Sequence, residues 1–173
     1  MKKNLIAIAL AAAASFSATQ AMAAAGQVKF EGKITGTTCT IVNDATNPLD
    51  VTLGEYGANE FKNAGDATVP LKFDILLKGC PASATQASVN FGGASDTANP
   101  DLLKVTGTTP AGGVAIQLYD SARAELPLGT PSAKNPLVVG DNTLKFYAGY
   151  KSTSATVTEG EANGVADFSL IYN

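Results

Sequence analysis

The sequence contains no histidine and no tryptophan, and charged residues make up only 16% of its 173 positions. Histidine is the usual general base, a common zinc ligand and the partner of serine and cysteine nucleophiles, so its absence removes most catalytic arrangements. Without tryptophan, the core has to be built from Val, Leu, Ile, Phe and Tyr. A carboxylate pair could still do acid–base work.

The carboxylate pairs have no setting that favours acid–base chemistry. Glu159 with Glu161, and Asp96 with Asp101, stand in polar loop sequence, and no apolar pocket is implied that would raise a pKa. The loop DTANPD (96–101) also lacks the ligand spacing of a calcium loop. The sequence therefore predicts no enzyme, no metal site and no cofactor.

The longest apolar run is too short to span a membrane. It covers about ten residues, Leu5–Ala14, against roughly 20 for a transmembrane helix. Two lysines precede it, and an A-x-A pattern ending at Ala23 follows it, which is typical of a secretory signal peptide. We therefore predict a signal peptide at 1–23 and a mature chain of 150 residues, the size of one domain.

The mature chain is acidic. Removal of the leader leaves 10 basic residues against 15 acidic ones, and the basic residues do not cluster. Phosphate contacts need clustered Lys and Arg, so the sequence predicts no nucleic-acid partner.

Only two cysteines are present, Cys39 and Cys80, and both remain after cleavage. An exported chain meets an oxidising compartment, where disulfides form and persist. Two cysteines allow one intramolecular pairing, which would stabilise the domain by about 4 kcal/mol in the chain-entropy model. A free or intermolecular thiol is the alternative.

Apolar and polar residues alternate with period 2 between turns rich in Gly, Pro, Asn and Asp, which is typical of short strands. The predicted strands cover 49–53, 69–77, 87–91, 102–105, 114–118, 144–150 and 166–172. Many short strands at this spacing predict an all-β fold, an immunoglobulin-like antiparallel β-sandwich.

Four features together resemble the pilins of the chaperone–usher pathway, and within them the major shaft subunits of type 1-like fimbriae. GQVKFEGKI (26–34) alternates strictly and lies between the cleavage site and the first cysteine. Cys39 and Cys80 are 41 positions apart, as suits the pilin disulfide. The ending GEANGVADFSLIYN places Gly160 fourteenth from the C-terminus and Tyr172 in the penultimate position. The strand-and-turn pattern fills the chain between.

The resemblance implies an incomplete sandwich that lacks its last strand and is completed in trans by a donor strand. The domains would be the signal peptide (1–23), an N-terminal extension that acts as donor strand (24–35) and the pilin domain (36–173). Gln27, Lys29, Glu31 and Lys33 would face away from the neighbouring subunit. The residues that enter its groove would be Val28, Phe30, Gly32 and Ile34.

The other end of the chain would provide the acceptor groove and the chaperone contact, with the terminal carboxylate held by basic groups of the chaperone. The residues implied are Gly160, Ala166, Phe168, Leu170, Tyr172 and Asn173. The implied partners are other copies of the chain, other fimbrial subunits, a periplasmic chaperone and an outer-membrane usher. The implied function is a structural subunit of an extracellular fimbria that supports adhesion, exported through the periplasm to the cell surface.

Three alternatives stay open at this point. Gly32 could mark a bulge in a strand that pairs within its own domain. A minor adaptor or receptor-binding subunit would have the same architecture as a shaft subunit. A self-contained secreted domain or an enzyme would share the strand-rich pattern and the cysteine pair.

Overall fold

The computed structural model describes residues 27–32 and 38–172. The chain divides into a unit of Met1–Ile34 and a compact unit of Thr35–Asn173. The predictions for the signal peptide, for Ile34 and for Asn173 lie outside the described residues. In the first unit, residues 27–32 belong to no helix or strand.

In the described part of the compact unit, the regular secondary structure consists of β-strands and one short 3-10 turn at Ala58–Glu60. The period-2 alternation of apolar residues accounts for the long strands, because every second side chain then points to the core. The strands, in chain order, are β1 (Thr40–Ile41), β2 (Leu71–Cys80), β3 (Gln86–Gly93), β4 (Leu103–Lys104), β5 (Val114–Tyr119), β6 (Glu125–Leu126), β7 (Asn135–Pro136), β8 (Gly140–Ser152) and β9 (Ala166–Tyr172).

The strands form two antiparallel sheets, in the arrangement of an immunoglobulin-like sandwich. The first sheet has the order β1-β2-β8-β5-β4, and β6 also pairs with β5. The second sheet has the order β7-β3-β9. Between β3 and β9 the register is continuous, from Ala87 opposite Tyr172 to Gly93 opposite Ala166.

Most of the predicted strands are present, but the one at 49–53 is wrong. Val51 and Leu53 are half-buried while Thr52 is exposed, yet the segment forms no strand. Alternation indicates which side chains face the core. Here the side chains alternate, but the backbone forms no ladder of hydrogen bonds with another strand. The strand predicted at 102–105 is reduced to the two residues of β4.

The core joins the two sheets through aromatic rings. The ring of Phe91 on β3 lies 5.1 Å from that of Phe146 on β8, in an edge-to-face contact, which is a favoured geometry for aromatic pairs. Ile75 and Leu77 of β2 are each only 1% exposed. Burial of such side chains contributes about 1.5 to 3 kcal/mol each.

The predicted disulfide is confirmed, and it marks one end of the sandwich. Cys39 and Cys80 are bonded, with their Cα atoms 4.2 Å apart. Gly140 pairs with Cys80, and Tyr172 is the last residue of β9 on the same side. We call this the disulfide end, and we call the opposite end, where β9 begins beside Gly93, the far end.

Candidate functional site

β9 is the edge strand of the second sheet. Its ladder partner among the described residues is β3, and no strand lies beside residues 166–170 on their other side in that part of the chain. An edge of this kind presents backbone donors and acceptors to any extended segment that approaches it.

The inward side chains of β9 are only half-covered, although they pack against the core. Along β9, half-buried and exposed residues alternate without a fully buried position. On the neighbouring β3, Ala87 and Val89 are 0% exposed and Phe91 is 3% exposed. The half-buried residues of β9 that pack against the core are Ala166, Phe168, Leu170 and Tyr172. The sandwich is therefore well packed at β3 and open at β9.

The side of the opening that faces β9 is formed by β2. The ring of Phe91 lies 6.0 Å from that of Phe73 and 6.2 Å from that of Phe168. Phe73 is half-buried, like Phe168, whereas Phe91 is covered. Phe91 thus forms the floor between two partly uncovered rings. We call the set of Phe73, Phe91, Ala166, Phe168, Leu170 and Tyr172 the open groove.

The edge of β3 that faces away from β9 is covered by the chain between β6 and β7. The N–H of Gly129 donates to the carbonyl of Phe91 at 2.7 Å, and that of Ser132 to the carbonyl of Val89 at 2.8 Å. The Ser132 hydroxyl also accepts from the N–H of Val89 at 3.0 Å. This segment therefore satisfies the edge of β3 that faces away from β9.

Tyr172 ends the row of groove side chains at the disulfide end. Burial raises the pKa of the Tyr172 phenol, while hydrogen bonds with the backbone of Cys39 and the side chain of Thr38 act in the opposite direction. The phenol thus links the end of β9 to the chain at the disulfide. The Cys39–Cys80 disulfide, which lies near the start of the compact unit, therefore also fixes this end of the open groove.

Gly160 lies outside the row formed by β9. A Cβ at Gly160 would stand 2.5 Å from the backbone nitrogen of Ala111 and 2.6 Å from the carbonyl carbon of Pro110. Glu161 forms a parallel bridge with Pro110. The glycine therefore lets residues 158–161 pack directly on the backbone of 109–111. This contact is far apart in sequence, which is why the sequence alone did not reveal it.

Gly160 lines a concave space of about 440 Å³ at the far end. Glu55, Glu159 and Glu161 also line this space, together with Phe61 and Tyr150. The Glu161 carboxylate accepts from the N–H of Thr108, and the hydroxyl of Tyr150 donates to the carbonyl of Ala162 at 3.0 Å. These polar groups hold the loops around the space in place.

The acidic loop at 96–101 has a structural role. The Asp96 carboxylate accepts from the N–H groups of Ala98 and Asn99, at 2.9 and 3.1 Å. Within residues 27–32 and 38–172, no group of three or more His, Cys, Asp or Glu side chains is placed to hold a metal ion. In the same ranges, no helix has the length and apolar character needed to cross a membrane.

The side chains predicted to act as a donor strand are exposed where they are described. Val28 is 75% exposed and Phe30 is 91% exposed. A Cβ at Gly32 would meet nothing within 4 Å. Lys29 and Glu31 pair with each other at 2.5 Å on the side expected to face away. The segment predicted as donor strand therefore carries two large unburied apolar side chains.

Phe73 is the groove residue that the sequence prediction missed. It stands in the predicted strand 69–77, where its position on the apolar face suggests ordinary core. Its half-exposure depends on how the two sheets pack around it, which no local pattern in β2 reveals.

The chain matches the family model described as "Fimbrial protein" over residues 28–173. It is 39% identical to the fimbrial subunit type 1 of Salmonella typhimurium, over 94% of this chain and 90% of that protein. It is 36% identical to long polar fimbria protein A of the same species, over 99% of this chain and 97% of that protein.

Solved structures show the same similarity. One is an antigen and type I fimbria protein of Burkholderia pseudomallei, with 41% identity and a TM-score of 0.62, covering 80% of this chain and 91% of that one. Another is the P pilus rod subunit PapA, with 26% identity and a TM-score of 0.66, covering 79% of this chain and 100% of that one.

Proposed function

The chain belongs to the fimbrial protein family, and from this membership we propose that it is joined to its neighbours in the pilus shaft by strand exchange. It is a structural subunit of a pilus at the cell surface, within a family of structural fimbrial proteins. The proposal concerns the way in which one subunit holds the next. We propose no catalytic role for it.

The open groove is the observation that supports this proposal. A half-covered row on β9 occurs together with an edge that no described strand accompanies along residues 166–170, and both would be satisfied by one added strand. Such a strand would gain main-chain hydrogen bonds from the edge and would bury alternate side chains in the groove. An uncovered edge and an apolar groove are otherwise an aggregation hazard.

The N-terminal extension has the composition that the groove requires. Val28 and Phe30 are exposed, and they alternate with the charged pair Lys29 and Glu31. Burial of the three large apolar side chains, those of Val28, Phe30 and Ile34, would contribute about 1.5 to 3 kcal/mol each. Each backbone hydrogen bond would add about 1 kcal/mol net. Such a total is typical of very tight complexes. Exchange of this kind needs no cofactor.

We place the donor strand antiparallel to β9. Every strand pair in the described sheets is antiparallel. In an antiparallel register that places Ile34 opposite Ala166, Gly32 lies opposite Phe168 and Phe30 lies opposite Leu170. Each large residue then faces a smaller or an aliphatic one. A parallel strand in the corresponding register would oppose Phe30 and Phe168, whose two rings would compete for the same space.

Before assembly the groove has to be covered, and we propose that a periplasmic chaperone fills it and that an outer-membrane usher joins the subunits. The row of Ala166, Phe168, Leu170 and Tyr172 would then contact the chaperone first and the next subunit's donor strand afterwards. The carboxylate of Asn173 would be held by basic groups in the chaperone cleft, as chain termini often are.

Deletion of residues 24–34 tests the proposal. The shortened subunit retains β9 and the open groove, so we expect it to accept a donor strand and to be exported with its chaperone. It cannot donate one, so we expect no fibres by electron microscopy of producing cells. Normal fibres from the shortened subunit would contradict the donor-strand proposal.

A further inference from the structure

The connection between β7 and β8 carries two adjacent valines that point into solvent. Val138 is 65% exposed and Val139 is 70% exposed. The Asn142 side chain holds this connection in shape. Its Oδ1 accepts from the N–H of Val138 at 2.9 Å, and its Nδ2 donates to the carbonyls of Val138 and Gly140 at 2.8 and 3.2 Å. We call Val138 and Val139 the valine tip.

The valine tip lies at the disulfide end. Val139 precedes Gly140, which pairs with Cys80, and the N–H of Leu137 donates to the carbonyl of Thr85 at 2.8 Å. The far end carries its own exposed apolar residue, Val165, which is 78% exposed and precedes the first residue of β9. Exposed valines thus lie at opposite ends of one domain.

The chain between the donor strand and the disulfide is short. Ile34 and Cys39 are five residues apart, and five residues span about 17 Å at most when fully extended. β9 itself is about 20 Å long, from the spacing of residues in a strand. A donor strand antiparallel to β9 places Ile34 at the far end of the accepting subunit. The disulfide end of the donating subunit must therefore lie close to that far end.

We propose that the valine tip of one subunit packs against Val165 of the subunit that accepts its donor strand. The partner is a second copy of this chain, and the inference rests on the proposed function for the orientation of the donor strand. The contact removes two exposed valines and a third from water, and Asn142 has already fixed the tip, so little conformational freedom is lost.

Cysteine cross-linking in fibres tests this contact. The native cysteines are bonded to each other, so introduced cysteines are the reactive ones. Fibres carrying both Val139→Cys and Val165→Cys are treated with a short bis-maleimide and analysed by denaturing electrophoresis. We expect a ladder of covalent multimers. Fibres with Val139→Cys alone or Val165→Cys alone provide the control, and we expect no ladder beyond a dimer from either.

Intact double-cysteine fibres that yield monomers only would overturn the contact. The result is separable from that of the donor strand. A missing ladder, together with loss of fibres on deletion of 24–34, rejects the contact and retains strand exchange. Fibres that still form after the deletion of 24–34 reject strand exchange. They also remove the argument that brings the valine tip close to Val165.

A polar tip provides a second measurement. The Val138→Ser/Val139→Ser variant should bind a peptide of residues 24–35 as the unchanged subunit does, because the open groove is untouched. Its fibres should release subunits about tenfold faster in denaturant, which corresponds to the loss of about two buried methyl groups. Unchanged dissociation would contradict the proposed packing.

Discussion

The rings of Phe91 and Phe168 lie 6.2 Å apart across β3 and β9, yet Phe91 is 3% exposed whereas Phe168 is only half-buried. The two residues face each other directly in the strand register. Because Phe91 is covered and the Phe168 ring that contacts it is not, the core is open on the side of Phe168. The core is therefore open beside β9, where we propose that the donor strand of a neighbouring subunit is added.

Replacing Gly32 with leucine should block assembly without unfolding the subunit. A Cβ at Gly32 meets nothing within 4 Å in its own chain, so the free energy of unfolding of the subunit should not change. In the neighbouring subunit the added side chain would face Phe168, where we propose that only glycine fits. We expect a peptide of residues 24–35 with this change to bind at least tenfold more weakly by calorimetry.

Glu31→Leu is the matched control for that substitution. It adds the same side chain to the adjacent position, which we expect to face away from the groove. Its affinity should stay within a factor of about three of the original peptide, the loss being that of an exposed ion pair with Lys29. Equal weakening by both substitutions would reject the assignment of faces in the donor strand.

Truncating Phe168 to alanine should weaken both the subunit and its complex. A buried phenylalanine loses about 3 to 5 kcal/mol on truncation, and Phe168 is only half-buried, so about 2 kcal/mol is expected for the subunit alone. The loss of peptide affinity should come in addition, because the added strand completes the burial of this ring. Ser169→Ala, on the exposed face of the same strand, should change neither chemical denaturation nor peptide binding.

Gly160→Ala should destabilise the domain by about 2 to 3 kcal/mol through steric conflict with fixed backbone. The new Cβ would stand 2.5 Å from the Ala111 nitrogen, and neither segment can retreat without breaking the bridge between Glu161 and Pro110. Gly92→Ala is the control, because a Cβ there meets nothing within 4 Å. Urea denaturation of the two variants should separate them, and equal midpoints would show that the 109–111 contact is not tight.

The sequence was sufficient for the long elements and for the disulfide, because periodicity and cysteine number are local or countable properties. It failed at 49–53, where Val51 and Leu53 face the core without joining a ladder. It also missed β1, β6 and β7, which are two residues each and too short for any period.

The candidate site shows the same division. The row on β9 follows from alternation, whereas its half-exposure depends on the position of β9 at the edge of its sheet. The role of Gly160 depends on a segment some 50 residues away in the chain. Contacts of this range are set by the tertiary fold and leave no mark in the local sequence.

Alkaline pH should weaken the domain through its buried tyrosines. Burial raises the pKa of Tyr150, to which the nearby Tyr56 also contributes, and burial likewise raises the pKa of Tyr119. Because the folded state holds these protons more tightly, the free energy of unfolding is at its full value below the unfolded tyrosine pKa of about 10 and falls as the pH rises through the folded values.

Tyr150→Phe separates the contribution of Tyr150 to that decline. The substitution removes the hydrogen bond to the carbonyl of Ala162, which costs about 1 kcal/mol at neutral pH. The decline in urea midpoint between pH 9 and 11 should then be shallower than in the unchanged chain. An identical decline would show that Tyr150 does not carry the pH dependence.

Hydrogen–deuterium exchange of assembled fibres detects a donor strand in its paired state. If residues 27–34 form a strand beside β9 of a neighbouring subunit, their amides should exchange at least a hundredfold more slowly in fibres than in the chaperone-bound subunit, and the amides of 166–170 should remain protected in both. Exchange of residues 27–34 at the rate of an unstructured chain in intact fibres would contradict the account.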